Sequence, residues 1–215
     1  MRVVLLGAPG AGKGTHCKKI VGRYGLLHLS SGDILRRERA EGSDLGKKAQ
    51  GYMDAGTLVP DDLIVEMMSK AVKGAPDGGF VLDGFPRTVH QAEALDRSLA
   101  KDGSGIDVVV NLQVGDEIVV DRITGRRSCP KCGAVYHVKN MPPKQEGVCD
   151  HDGAALVQRP DDTADVVKNR LATYYEQTEP VVEYYKARRD VRDVPADGDA
   201  DAVAAVLFEE LDALR

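Results

Sequence analysis

Short apolar runs separated by helical patterns set the rhythm of this chain. The run RVVLLG (2–7) closes on glycine and leads through APGAGKGT into a segment where Cys17, Ile20, Val21 and Tyr24 recur at helical spacing and Gly25 suits a C-terminal stop. Further runs of strand length stand at LLHLS (26–30), GFVLDG (79–84), DVVVNLQV (107–114) and RDVRDV (189–194). Helical patterns lie between them, among them DDLIVEMMSKAV (61–72) and HQAEALDRSLA (90–100). Strands alternating with helices predict a parallel sheet covered on both faces, an α/β fold. The closing DADAVAAVLFEELDALR (199–215) predicts a packing helix with Val203, Val206, Leu207, Leu211 and Leu214 on one face.

Residues 128–159 break this rhythm. Three cysteines, Pro142-Pro143 and several glycines, with little helical repetition, predict an inserted subdomain. The 215 residues are 42% hydrophobic and 29% charged, the balance of one compact globular domain or two small ones. A net charge of −5 argues against broad, charge-driven binding to nucleic acid or membrane, so an anionic ligand must be met by local clusters. The apolar stretches fall far short of the ~18 residues of a membrane span. MRVVLL runs directly into a glycine-rich turn and reads as a buried strand, not a signal peptide. The expectation is a cytoplasmic protein, whose four cysteines are thiols or metal ligands more readily than disulfides.

GAPGAGKGT (7–15) lies between the first strand and the first helix, where a phosphate loop belongs. Its glycines let backbone N–H groups turn toward a phosphate, the helix N-terminus adds a favourable dipole, and Lys13 adds a positive charge. The general pattern has Ser or Thr directly after the lysine; here Gly14 intervenes and the hydroxyl arrives at Thr15. No Asn-Lys-x-Asp guanine-reading motif is present. Asp83 ends an apolar run at the mouth of the predicted sheet, where a carboxylate can orient Mg²⁺ through its water shell. Asp33 either assists it or caps a helix.

Cys129-x-x-Cys132, followed after sixteen residues by Cys149-x-x-Asp152, has the spacing of a four-ligand zinc ribbon. Asp152 stands where the fourth cysteine would be, with His137 and His151 as rivals for that place. Four protein ligands leave no open position, so such a zinc is structural, and an insertion this small needs that support to fold. Cys17 lies in the first helical pattern and reads as core.

The variant phosphate loop and the stretches SSGDILR (30–36), GYMDAGTLVPDD (51–62), FVLDGFPRTVHQAEAL (80–95), DRITGRR (121–127), VYHV (135–138), QRPDDTADVVKNRL (158–171) and YYEQTEPVVEYY (174–185) resemble, in order, the adenylate kinases. The resemblance covers nearly the whole chain and is weakest beyond residue 190. It implies a P-loop NTPase-like core of residues 1–29, 60–121 and 160–215, an AMP-binding insertion at 30–59 and a zinc-bearing lid at 122–159. The implied protein is a monomer that converts Mg-ATP and AMP reversibly into two ADP and so maintains adenine nucleotide balance.

By the same resemblance, Gly10, Ala11, Gly12, Lys13, Gly14 and Thr15 cradle the donor's phosphates, and Arg122 and Arg126 approach them from the lid. Val135 and Tyr136 enclose the adenine and ribose, and Gly198, or else Ala200, contacts the adenine. Ser31, Arg36, Met53, Thr57, Leu58, Val59, Gly84, Phe85, Pro86, Arg87 and Gln91 form the AMP site, where the Gln91 amide is able to read a base edge. Arg159 and Arg170 clamp the transferring group and belong to the AMP site as well. With Lys13, Arg87 and Arg122 they make up the implied catalytic set. Ser31 replaces a threonine common in the family, and PADGDADA (195–202) follows its adenine-contacting loop loosely. An aspartate as fourth zinc ligand also occurs in the zinc-lid branch. Two other readings compete: a kinase of this fold that prefers another base, and a zinc-ribbon nucleic-acid-binding protein with a vestigial nucleotide loop. The second requires a basic patch with stacking aromatics, for which the knuckle offers Lys131, Lys139, Lys144 and Tyr136 in an acidic chain.

Overall fold

The structure is a computed structural model and describes residues 1–75 and 79–214. Seven strands occur among them: β1 (Arg2–Gly7), β2 (Leu27–Ser30), β3 (Phe80–Asp83), β4 (Val108–Gln113), β5 (Arg126–Ser128), β6 (Val135–His137) and β7 (Val191–Pro195). Five form a parallel sheet in the order β2-β3-β1-β4-β7, while β5 and β6 pair antiparallel elsewhere. Each strand of the large sheet falls within two residues of its apolar run.

Side chains alternate along each strand, so β1 serves two cores at once. Val4 and Leu6 pack with Leu82 and Phe80 of β3 against α2 (Ser31–Glu41), α3 (Asp44–Ala55), α4 (Asp61–Lys73) and α5 (Val89–Lys101), through Leu35, Ala49, Met68 and Leu95. Val3 and Leu5 face the other way, joining Val108, Val110 and Val194 against α1 (Lys13–Tyr24) and the last helix. Cys17 and Ile20 of α1 are fully buried there, as the helical spacing predicts.

Helices α6 (Asp116–Thr124), α7 (Ala164–Thr173), α8 (Glu179–Lys186) and α9 (Ala200–Asp212) complete the chain, with a π-helical turn over Tyr174–Thr178 joining α7 to α8. The expected face of α9 needs correction. Val203, Ala204, Leu207 and Leu211 are buried, whereas Val206 and Leu214 are about two-fifths exposed. At 3.6 residues per turn Val206 points roughly a third of a turn away from the buried stripe, and Leu214 lies past the helix end. Arg215, the last residue of that pattern, lies outside the described residues.

The insertion predicted at 128–159 contains β6 and is closed at its neck by a bridge between Ser128 and Val157. Its apolar centre is small: Cys129, Ala134, Tyr136 and Cys149, edged by Ala154 and Leu156. No helix among the described residues is long and apolar enough to cross a membrane.

Candidate active site

The strand order reverses direction at β1, where ligands of open α/β sheets gather at the carboxyl ends of the strands. The glycine-rich loop leaves β1 at that point. Gly10 has φ 79°, and a Cβ on it would come within 3.0 Å of the Ile123 side chain, so the loop's turn requires glycine there. Helix α1 begins at Lys13 with no side-chain cap; its first N–H groups have no acceptor within the helix and suit an anion.

Lys13 Nζ donates to the carbonyls of Gly7 at 2.7 Å and Ala8 at 2.8 Å. Burial brings its pKa down to about 8; Asp83 opposes that shift, and Arg87 and Arg170 add to it. The departure at Gly14 has a steric reason. A Cβ there would lie 3.3 Å from Asp83 Oδ2, so the carboxylate holds the space a side chain directly after the lysine would enter. Asp83 also lies 3.4 Å from His28 Nε2. Asp33 is not the helix cap: the Ser30 hydroxyl accepts its N–H, and Asp33 pairs with Arg36. Burial works against the Asp33 charge, yet the Arg36 guanidinium outweighs it and holds the carboxyl below its ordinary range.

A cavity opens beside this loop. Ser31, Arg36, Met53, Thr57, Leu58, Val59, Gly84, Arg87, Gln91 and Arg170 all line it, drawn from α2, α3, α5, α7 and the turns between elements. Gly84 shapes its floor with φ 71°: a Cβ would meet the Arg87 guanidinium at 2.7 Å and Ser31 Oγ at 3.0 Å. The carbonyl of Gly84 accepts from Ser31 Oγ at 2.6 Å and from Arg87 Nε at 2.8 Å, which fixes both side chains. Phe85 and Pro86, joined by a cis peptide, are buried and are not part of the cavity wall. Asp61 and Asp161, not among the expected site residues, belong here: Asp161 lines the cavity and Asp61 bonds to Gln91. Both stand in the quoted motifs, but as acids near predicted helix starts they carry no separate signal.

Burial lowers the pKa of Arg87, and brings Arg159 and Arg170 to about 10. Neighbouring guanidiniums add to the last two shifts, Arg36 and Arg126 for Arg159, and Arg126 and Arg87 for Arg170. The site thus concentrates more positive charge than its own carboxylates balance, a condition that a polyanion relieves. Two carboxylates partly meet it. Asp162, fully buried, receives Arg126 through a two-pronged contact, with Nε at 2.8 Å, and lies 3.7 Å from Arg170, which Asp161 holds at 3.2 Å. Burial alone would lower the Arg126 pKa; Asp162 outweighs it and raises the value. Removing that charge leaves a guanidinium without its counterion. Asp162→Asn is expected to destabilise the fold by about 3 kcal/mol, lowering the thermal midpoint by about 6–12 °C. A calorimetric shift under about 2 °C would show that Arg126 does not depend on this partner.

Arg122, at the end of α6, donates to the carbonyls of Asp197 at 3.1 Å and Gly198 at 3.2 Å, and so ties the loose PADGDADA loop to the site. Arg159 Nε donates to Ser128 Oγ at 3.0 Å across the neck of the insertion. Tyr136 lies within the insertion: its ring is buried there, its hydroxyl lies 3.6 Å from Cys149 Sγ, and it accepts the Asp150 N–H. Neighbouring Val135 is half-buried in β6. The insertion reaches the core where Lys18 Nζ of α1 donates to the Gly133 carbonyl at 3.2 Å.

Ligand atoms of Cys129, Cys132, Cys149 and Asp152 converge within 4.8 Å of one another, and all three cysteines are free thiols. The Cys132–Cys149 sulfur separation is 3.6 Å, and Cys129 Sγ lies 3.3 Å from Asp152 Oδ2. A tetrahedral zinc needs about 3.8 Å between thiolates and about 3.5 Å from thiolate to carboxylate oxygen, so the donor set fits zinc. The Ala154 N–H donates to Asp152 Oδ1, and mainly through that bond the carboxyl is held down at about 2. His137 is committed elsewhere, Nε2 facing the Asp121 carbonyl at 3.1 Å and Nδ1 accepting two backbone N–H groups. His151 is exposed and outside the cluster.

A family model described as adenylate kinase matches residues 5–190. Curated relatives share the match across their length. An adenylate kinase of Lachnospira eligens is 46% identical over 212 residues, covering 98% of this chain and all of the relative. One from Anaeromyxobacter sp. is 50% identical over 208 residues, covering 96% of this chain and 97% of the relative. One from Caldicellulosiruptor saccharolyticus is 50% identical over 187 residues, with 86% and 87% covered. A phosphate loop and a cationic cavity at the reversal of a parallel sheet, matched at this level nearly end to end, place the chain in the adenylate kinase family.

Proposed function

We propose that the phosphate loop and the adjoining cavity bind Mg-ATP and AMP side by side, so that the terminal phosphoryl group passes directly from one to the other to give two ADP. The observation that carries this reading is the shared placement of Lys13, Arg87 and Arg170, whose charges act on one another between the loop and the cavity. Phosphoryl transfer asks for little covalent chemistry from the protein; it asks for two polyanions held in line, neutralised and kept from water.

Gly10 to Thr15 cradle the donor's phosphates through backbone N–H groups, and Lys13 leaves the carbonyls of Gly7 and Ala8 for a phosphate oxygen. Arg36 and Arg87 bind the acceptor's phosphate, Met53, Leu58 and Val59 bound its base, and Arg159 and Arg170 hold the transferring group. Arg122 reaches the donor beside Gly198, while Arg126 aligns Arg170 through Asp162. Asp83, with Asp33, holds Mg²⁺ through water, and their oxygen donors suit that ion. When bound, magnesium neutralises phosphate charge. Residues 122–159 act as a lid over the donor and residues 30–59 as the acceptor-binding insertion. Cys129, Cys132, Cys149 and Asp152 hold a structural zinc that stiffens this lid. The protein works as a cytoplasmic monomer without a nucleic-acid partner.

The test is an assay of ADP formation from Mg-ATP with AMP, GMP, CMP or UMP as acceptor. Turnover at least about a hundredfold more efficient with AMP is expected, because the cavity offers hydrogen-bonding groups to the base. Faster transfer to any of the other three would overturn the acceptor assignment.

A further inference from the structure

We propose that Asp61 is a specificity-determining positioning residue: it locks the Gln91 side-chain amide in one orientation, and this lock makes the acceptor cavity reject guanine and hypoxanthine nucleotides. The inference rests on the reading of the cavity as the acceptor's site.

Gln91 lines the cavity although only 1% of its surface is exposed. Its Nε2 donates to Asp61 Oδ1 at 2.7 Å, and its Oε1 accepts the Arg87 backbone N–H at 2.8 Å. The other Asp61 oxygen accepts from the Thr88 hydroxyl at 2.7 Å and lies 3.3 Å from His90 Nδ1. Thr88 Oγ in turn accepts the Gln91 backbone N–H at 3.1 Å, capping α5. Asp61 opens α4, so one carboxylate joins the starts of two helices around a single amide.

The polarity of that amide follows from its partners. An ionised carboxylate only accepts and a backbone N–H only donates, so Nε2 must face Asp61 and Oε1 must face Arg87. Turning the amide over would set oxygen against carboxylate and NH₂ against N–H, breaking two buried hydrogen bonds. What is left for a ligand is one N–H of Nε2 and one lone pair of Oε1, in a fixed order. Adenine matches this pair with its amino donor and adjacent ring-nitrogen acceptor. Guanine and hypoxanthine carry a carbonyl acceptor and an N–H donor in the same two places, and would need the reverse order. An amide free to rotate could serve either set; the charged Asp61 contact, backed by the Arg87 N–H, removes that freedom.

Asp61→Asn preserves shape and removes the stronger of the two restraints, because the asparagine amide can turn together with Gln91 and only the Arg87 N–H then opposes the turn. With saturating Mg-ATP, the ratio of kcat/KM for AMP to that for GMP, and to that for inosine monophosphate, is expected to fall at least about tenfold, chiefly through lower KM for the two 6-oxo purines. In a Gln91→Met background the same substitution should leave the ratios where Gln91→Met sets them. An equal loss for all three acceptors, or ratios that still move without Gln91, would overturn the lock. In the unmodified protein, the Gln91 side-chain NH₂ should show protons protected from exchange by NMR, and rapid solvent-like exchange would overturn the proposal whether or not Asp61→Asn folds. The two readings fail differently. Absence of transfer to every acceptor in folded wild type removes the acceptor site itself, whereas normal transfer to AMP with unchanged ratios in Asp61→Asn removes the lock alone.

Discussion

Lys13→Ala is expected to lower kcat/KM for Mg-ATP by at least about 10²–10³-fold, the loss that follows removal of one preorganised charge from a developing transition state. The fold should survive, because Lys13 contributes to it through two loop carbonyls, Gly7 and Ala8, and no apolar contact of the two cores depends on it. Unchanged turnover in the folded variant would detach the loop from the chemistry. The same lysine sets an alkaline limit. Its pKa is brought down to about 8 by burial, so raising the pH through that value removes the positive charge, and kcat/KM for Mg-ATP, which reports the free enzyme, should fall on that side. Under saturating Mg-ATP the bound phosphates favour the charged amine, and the limb in kcat should move to higher pH. Lys13→Arg, which stays charged throughout, should lose the limb near that pH; a limb that persists there would assign it to another group.

The second large effect is expected at Cys129, Cys132, Cys149 and Asp152, the donor set proposed to hold zinc in the insertion. The insertion has four buried apolar or cysteine side chains at its centre and two short strands at its base, too little burial to order the segment without a metal. Asp152→Ala is expected to weaken zinc binding by about 10–100-fold or more, to expose residues between Ser128 and Val157 to proteolysis, and to lower kcat/KM for Mg-ATP at least about tenfold. Asp152→Cys should retain zinc, since a fourth thiolate serves the same tetrahedral centre. Equal zinc affinity in Asp152→Ala and wild type, measured by competition with a chelator, would remove Asp152 from the ligand set. A proteolysis-resistant lid in metal-free protein would remove zinc from its folding.

The strands of the parallel sheet were legible as short apolar runs, because β1, β3 and β4 send buried side chains into both cores and so read as nearly continuous apolar sequence. The cysteine spacing was legible for a similar reason: a C-x-x-C turn brings its two sulfurs together by local geometry, whatever surrounds it. The α9 face shows where periodicity stops. Val206 is as apolar as Val203, yet the sheet receives one stripe of the helix and leaves the other in solvent.

By itself, then, the sequence determined the α/β order, the glycine-rich loop with Lys13 at the helix start, and the paired turns of Cys129, Cys132, Cys149 and Asp152 in the middle of the chain, all features whose geometry arises within a few residues. Only the tertiary structure decided that Asp162 pairs with Arg126, 36 residues away, that Asp83 fills the space beside Gly14, and that Asp61 reaches Gln91 across 30 residues. The physical reason is the range of the interactions. Turns and helix starts are set by backbone sterics between neighbours, whereas the partner of a buried charge or amide is whichever complementary group the packed chain brings within hydrogen-bond distance.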